Sequence, residues 1–315
     1  MNSRVAVTAC ISLILTACGN LPGGTGKGIP PCACPAPPPN MIVAQRGANE
    51  IAIYPRTSSL DSPPPISTIP APGAESLTVV TDMESTETFG FPVLYVGEYP
   101  STVAVVATPY SKVSGTISAG INDPAALAAS MVNGSEALFV ANRGANDVTI
   151  YEGTHLNFVT PAVTIGGLDA PDGLAFDAKG NLWVAQASNV VEFAPPFTSS
   201  SSPVVTISSG LKSPSGIAFD TNGLMYVADK GNNSIVVYPA GSFTPSVTVT
   251  RSISGPGSLL NPDEGLVLDT LFVPNVRGNN ITEFSLPLTS TSEPLVIGAS
   301  GMNEPSAVAF LDVTN

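Results

Sequence analysis

The stretch PDGLAFDAKGNLWVAQASNVVEF at 171–193 decides the fold, because PSGIAFDTNGLMYVADKGNNSIVVY at 214–238 repeats it 43 residues later. Each copy opens on Gly-apolar-Ala-Phe-Asp, turns at a second glycine (Gly180, Gly223), and rises through Leu-(Trp/Met)-(Val/Tyr) into a further apolar run. That is strand, turn, strand, turn, strand. Looser copies follow outward in both directions, giving six in all. First strands are expected near 77–81, 127–131, 173–177, 216–220, 265–269 and 308–311. Second strands are expected at 42–44, 94–97, 138–141, 182–185, 224–228 and 271–274. Third strands are expected at 51–54, 102–106, 148–151, 190–193, 235–238 and 281–284, and fourth strands at 66–69, 115–117, 163–165, 204–207, 247–249 and 295–297. A unit of this size cannot bury its own apolar face, so its neighbours must cover it.

Short strands at regular spacing, with no long amphipathic helical pattern, make the chain all-β. Four strands per unit and six units select a six-bladed β-propeller. The ends support closure. The first copy starts at a second strand (Met41-Ile42-Val43-Ala44), and the last, 304–312, is a first strand with nothing after it. Joining them completes one blade and leaves no long open sheet edge.

The turns between second and third strands carry Arg46-Gly47-Ala48-Asn49, Arg143-Gly144-Ala145-Asn146, Lys230-Gly231-Asn232-Asn233 and Arg277-Gly278-Asn279-Asn280. Gly and Asn tolerate the positive φ that tight hairpins need. Together with the preceding apolar strands, these turns resemble the NHL repeat over nearly all of 41–312. The second blade (Val96-Gly97-Glu98-Tyr99-Pro100) and the fourth (Ala187-Ser188-Asn189) depart from it. The resemblance implies a six-bladed propeller with a binding surface on one face, and some relatives of this kind are enzymes.

The head of the chain reads as an export segment. Arg4 precedes an apolar run over 5–15, too short to remain as a spanning helix, and small residues follow. Leu15-Thr16-Ala17-Cys18 resembles the lipobox of bacterial lipoproteins. The resemblance implies removal of 1–17, acylation of Cys18 and firm attachment of the chain to a membrane. Gly19 after the cysteine implies the outer membrane if the host is Gram-negative. Residues 18–40 then form a Pro- and Gly-rich tether that cannot pack a core, and 41–315 form the propeller. Cys32 and Cys34 stand too close in sequence to bridge each other without strain and have no histidine or further cysteine beside them for zinc. They are incidental thiols of the tether or an intermolecular disulfide.

Two sets of charged residues are candidates for function. The basic turn residues Arg46, Arg143, Lys230 and Arg277 should share one face, either meeting an anion, sugar acid or acidic partner or simply packing their stems over neighbouring turns. The residue before each first strand is Glu75, Asp172 and Glu264 in alternate blades, and Ala125, Ser215 and Ser306 in the others. First strands line a propeller's channel, so these carboxylates, with Asp263 beside Glu264, could converge at its mouth. They would suit a hard cation such as Ca²⁺ or serve as solvated turn acids. Asp172, in Pro171-Asp172-Gly173-Leu174 before Leu182-Trp183-Val184-Ala185, also resembles a motif of the gluconolactonase (SMP-30) family. There an aspartate binds a divalent metal that activates a lactone carbonyl or water. That family's early Glu-Gly-Pro motif and metal-binding Asn motif have no match.

Other chemistry is poorly supported. The single histidine, His155, reads as a surface loop residue. There is no Gly-x-Ser-x-Gly elbow, phosphate loop or dinucleotide fingerprint. A net charge of −13, from 11 basic and 24 acidic residues, repels nucleic acid. Trp183 and the other second-strand aromatics read as core between blades. The expected role is therefore a membrane-anchored extracytoplasmic module without catalysis of its own. It would bind an envelope protein, a small molecule or a glycan. A metal-dependent lactonase is the alternative.

Overall fold

The computed structural model describes residues 40–55, 64–80, 93–107, 110–132, 134–153, 160–241, 243–244, 251–254, 259, 262–263, 266–267, 270–288, 292, 295–297 and 301–311. These form an all-β propeller of four-stranded antiparallel blades, with six such sheets among the described residues. Blade one joins the two ends of the chain: Pro305–Leu311 innermost, then Asn40–Gln45, Glu50–Tyr54 and Ser67–Pro70. The remaining blades follow in chain order. Blade two is Ala74–Val80, Val93–Glu98, Thr102–Val106 and Gly115–Ile117. Blade three is Pro124–Val132, Ser135–Asn142, Asp147–Glu152 and Val163–Gly166. Blade four is Gly173–Phe176, Leu182–Ala185, Val190–Phe193 and Val205–Ile207. Blade five is Pro214–Phe219, Met225–Asp229, Ser234–Tyr238 and Arg251–Ser254. Blade six is Leu266–Val267, Thr270–Asn275, Asn280–Ser285 and Leu295–Ile297.

Each first strand packs against the first strand of the next blade, from Pro305–Leu311 through to Leu266–Val267, and Thr270–Asn275 of blade six returns to Pro305–Leu311. The ladder Met41↔Phe310, Ile42↔Ala309, Val43↔Val308 joins head to tail within one sheet. Alternate side chains of each strand fill the seams on its two sides. In blade one, Ile42, Ile51 and Ile53 pack toward Leu94 and Val96 of blade two, whereas Val43, Ala52 and Tyr54 pack toward Phe272 and Ile281 of blade six. This alternation is the period-2 pattern with both faces buried. Trp183 sits fully buried in the seam to blade five, its ring 4.9 Å from Phe243 and 6.0 Å from Phe219.

Two expectations about strands are corrected. The fourth strand of blade five is Arg251–Ser254, paired with Val237 to Ser234, and the 247–249 stretch read as that strand lies outside the described residues. First strands in four blades also start two to three residues earlier than expected, because each contains a β-bulge. The register slips between Ala74 and Ser76, Pro124 and Ala126, Pro214 and Ile217, and opposite the Ala44/Gln45 step in blade one. A bulge adds an unpaired residue and re-aims its side chain. The added residues include Glu75, Ala125, Ser215 and Ser306, which are positions the sequence had marked.

The seams between first strands are tight. Ser76, Ser215 and Ser306 each donate their hydroxyl to a backbone carbonyl of the next blade: Pro124 at 3.2 Å, Pro262 at 2.9 Å and Ala74 at 3.2 Å. At Gly173 a Cβ would lie 1.6 Å from the carbonyl oxygen of Ser215. Gly173→Ala must therefore open the seam between blades four and five. Overpacking of this kind costs about 1–3 kcal/mol, and thermal melting should place the loss at or above the top of that range. An unchanged melting temperature would mean that these strands do not approach as described.

Candidate functional site

The starts of the first strands, the ends of the second strands and the turns that follow them all lie at one mouth of the ring, because the strands are antiparallel. The turns hold their shape by placing Asn49, Asn146, Asn233 and Asn279 in the left-handed region, at φ of 55, 57, 50 and 49°. Asparagine tolerates that conformation better than other chiral residues. Three of these amides then reach the next blade. The Asn49 Oδ1 accepts from Gly73 N at 3.0 Å, Asn146 from Ala170 N at 2.9 Å, and Asn279 from Glu304 N at 2.8 Å. The residue that ends the second strand, or in blade four the one just after it, secures the same loop from within its own blade. The buried Gln45, Asn142 and Gln186 accept from Asn303, Asn122 and Asp169 N, and the carboxylate of Asp229 accepts from Lys212 and Ser213 N. Backbone donors that would otherwise be stranded at the mouth are thereby satisfied.

On this frame the basic and acidic sets, expected as separate features, form one network. The Arg143 guanidinium takes Asp123 of its own blade in a fork, Nε at 3.0 Å and Nη2 at 3.2 Å. Its Nη1 lies 3.1 Å from Asp172 of blade four, and Nη2 also bonds Glu75 of blade two. Lys230 Nζ bridges Asp172 at 2.7 Å and Asp263 at 3.1 Å. Arg46 sits 3.4 Å from both Glu75 and Glu304. The order around the mouth is Arg46, Glu75, Arg143, Asp172, Lys230, Asp263, with signs alternating from blade to blade. Arg277 is exposed and joins no ion pair among the described residues.

Burial grades the arc. Arg46 and Glu304 are well exposed, whereas the side chain of Asp263 is 11% exposed and that of Lys230 17%. Burial raises the Asp263 carboxyl, the Lys230 charge opposes that rise, and the charges of Asp172 and Glu75 add to it. Arg143 and Lys230 share Asp172, so acids of blades two, three, four and six converge on two neighbouring cations. Burial alone would lower Lys230, but Asp263 and Asp172 lift it above the ordinary lysine range. Arg143 is raised in the same way, with Asp123, Asp172 and Glu75 outweighing its burial. A lysine raised on folding contributes stability that is complete below its unfolded value of 10.5 and lost as pH climbs beyond it. The gap in melting temperature between wild type and Lys230→Met should therefore narrow above pH 10.5. A gap that stays constant to pH 12 would contradict the Lys230 pairs.

A calcium-like cation does not fit these residues. Glu75 and Asp172, read as candidate ligands, are each engaged by two basic side chains, and Glu264 lies outside the described residues. No group of three or more His, Cys, Asp or Glu among the described residues is arranged to hold a metal. Arg143 lies between Glu75 and Asp172, and Lys230 between Asp172 and Asp263. Cys18, Cys32, Cys34 and His155 also lie outside the described residues. The sequence reading missed Asp123 and Glu304. Both directly precede a first-strand proline, at φ of 55° and 49°, and each holds the arginine of its own blade.

The NHL repeat family model matches residues 211–238, the second of the two clearest copies. No curated protein sequence matches the chain. Among solved structures, the periplasmic gluconolactonase PpgL of Pseudomonas aeruginosa is 16% identical, with a TM-score of 0.60, covering 88% of this chain and 99% of its own. A candidate 6-phosphogluconolactonase of Bacteroides fragilis is 12% identical, with a TM-score of 0.61, over 88% of this chain and 98% of its own. A protein of unknown function from Bacteroides caccae is 16% identical, with a TM-score of 0.60, over 87% and 99%. At such identities the likeness is one of fold, and the chain is a propeller carrying an NHL repeat.

Proposed function

We propose that the mouth of the six-bladed ring hydrolyses sugar lactones, and that the charged arc does the work without a metal. The observation that carries this reading is the pairing of a buried, raised carboxyl (Asp263), in the loop before a first strand, with a cation (Lys230) beside a second cation (Arg143), both in turns after second strands at the same mouth. Lactone hydrolysis needs a base to take a proton from water and positive charge where the carbonyl oxygen becomes an oxyanion. Asp263 is the base. Its raised pKa makes it a better proton acceptor than an ordinary surface aspartate. Water attacks the carbonyl carbon, its proton passes to Asp263, and the oxyanion gathers between Lys230 and Arg143. As the tetrahedral adduct collapses, the ring C–O bond breaks and the departing oxygen takes back the proton. Water is thus added across one bond with no net gain or loss of charge, before the acid product ionises. The names of two fold neighbours point to the same reaction class, as an analogy of fold.

The test is a pH-stat assay of the purified propeller with D-glucono-δ-lactone and aryl esters, with and without EDTA. The reading expects turnover of the lactone above its spontaneous rate, undiminished by EDTA. Activity that EDTA abolishes would restore the metal-dependent alternative, and no activity would leave the mouth a binding site.

The expected setting of the site is the cell envelope. Acylation of Cys18 after removal of 1–17 would hold the ring on a membrane by the 18–40 tether, the outer membrane in a Gram-negative host. There an envelope protein or glycan could meet it. The mass of the mature N-terminal peptide, compared with that of a Cys18→Ala variant, tests this.

A further inference from the structure

We propose that the mouth selects uncharged sugar lactones and rejects phosphorylated ones; this rests on the lactonase reading and names its substrate class. The fold neighbours carry names of both kinds, with and without a phosphate, and fold alone cannot choose between them. The charges can. Within the described network, five carboxylates (Glu75, Asp123, Asp172, Asp263 and Glu304) face three cations (Arg46, Arg143 and Lys230). Each of these three cations is already held by at least two carboxylate partners, which offset its charge within the arc, and Arg277, the fourth basic turn residue, is exposed outside this network. Asp123 and Glu304 create the surplus. They belong to the loops just before their first strands, and their side chains are more exposed than those of Glu75, Asp172 and Asp263. The chain as a whole carries −13, so the long-range field has the same sign as the mouth and adds to the barrier.

A phosphate brings close to two negative charges at neutral pH. Against a surplus of the same size, within a few ångströms of a partly desolvated mouth, repulsion should cost an anionic ligand on the order of tenfold in affinity at low salt. The same surplus also repels the aldonate formed by hydrolysis, favouring release of product over its retention.

The probes are D-glucono-δ-lactam, an uncharged isostere that does not hydrolyse, and its 6-phosphate. Each is titrated calorimetrically into the full propeller at low and high salt, alongside turnover of the corresponding lactones. The lactam should bind about tenfold tighter than its phosphate at low salt. That ratio should shrink as salt screens the mouth, and also in Asp123→Asn/Glu304→Gln, which removes the surplus while leaving Asp263 and Lys230 in place. Equal or tighter binding of the phosphate would overturn the selection, as would failure of both lactams to bind. Preferential binding of the uncharged lactam without lactone turnover would uphold the selection while removing the catalytic reading, so the two failures are separable.

Discussion

Removing residues 305–315 is expected to abolish the fold. These residues include the innermost strand of blade one, and among the described residues no other strand pairs with Met41 to Gln45 on that side. Ala307, Val308 and Ala309 are buried in the seams to blades two and six, and Ser306 ties the strand to Ala74 of blade two. The truncated chain would expose two sheet edges and the apolar side chains of both seams. The loss is of the order of the whole folding free energy of a domain, about 5–15 kcal/mol. Size-exclusion chromatography and a thermal melt should show aggregate or unfolded chain. A monomer as heat-resistant as the intact one would mean that the ring is not closed by its tail.

The second large effect is at Arg143. This one side chain neutralises acids from blades two, three and four, and its own side chain is 29% exposed. Arg143→Met keeps much of the stem packing and removes the charge. Glu75, Asp123 and Asp172 are then left facing one another with Arg46 and Lys230 at the flanks. Breaking a buried pair by removing one partner costs about 3–5 kcal/mol. Partial exposure lowers that to about 2–4 kcal/mol here. For a domain of this size the melting temperature should fall by about 3–7 °C. Arg143→Lys should recover only part of the loss, because an ammonium cannot fork onto Asp123 while reaching both neighbouring blades. Full recovery by lysine would show that charge alone matters and that the described fork does not exist.

Much of the fold was legible because a strand buried on both faces must alternate and because the unit recurs. Leu182–Ala185 and Val190–Phe193 were read to the residue, and the shared blade followed from a head lacking a first strand and a tail lacking the rest. The bulges were not legible. A bulge adds a residue without changing composition, so the first strand of blade two was placed at Leu77 when it begins at Ala74. At the site, each charged set could be located by aligning units, since repetition puts equivalent residues at equivalent heights. Their pairing could not be read, because Arg143 and Glu75 are 68 residues apart and meet only through the curvature of the ring. Asp123 and Glu304 had a usable signal, an acid before the proline that opens a first strand. It appears in two units only, too few to stand out before the structure shows both beside an arginine.

The most direct test of the account is the rate of lactone hydrolysis by Asp263→Asn in the presence of EDTA, with melting temperature measured on the same sample. Asparagine keeps the size of the side chain and can still face Lys230, but it cannot accept the proton. The account predicts a fall in kcat of about a hundredfold or more, with melting temperature close to that of wild type. Wild-type turnover in that variant would contradict it, and the arc would then be a brace between blades rather than a site of chemistry.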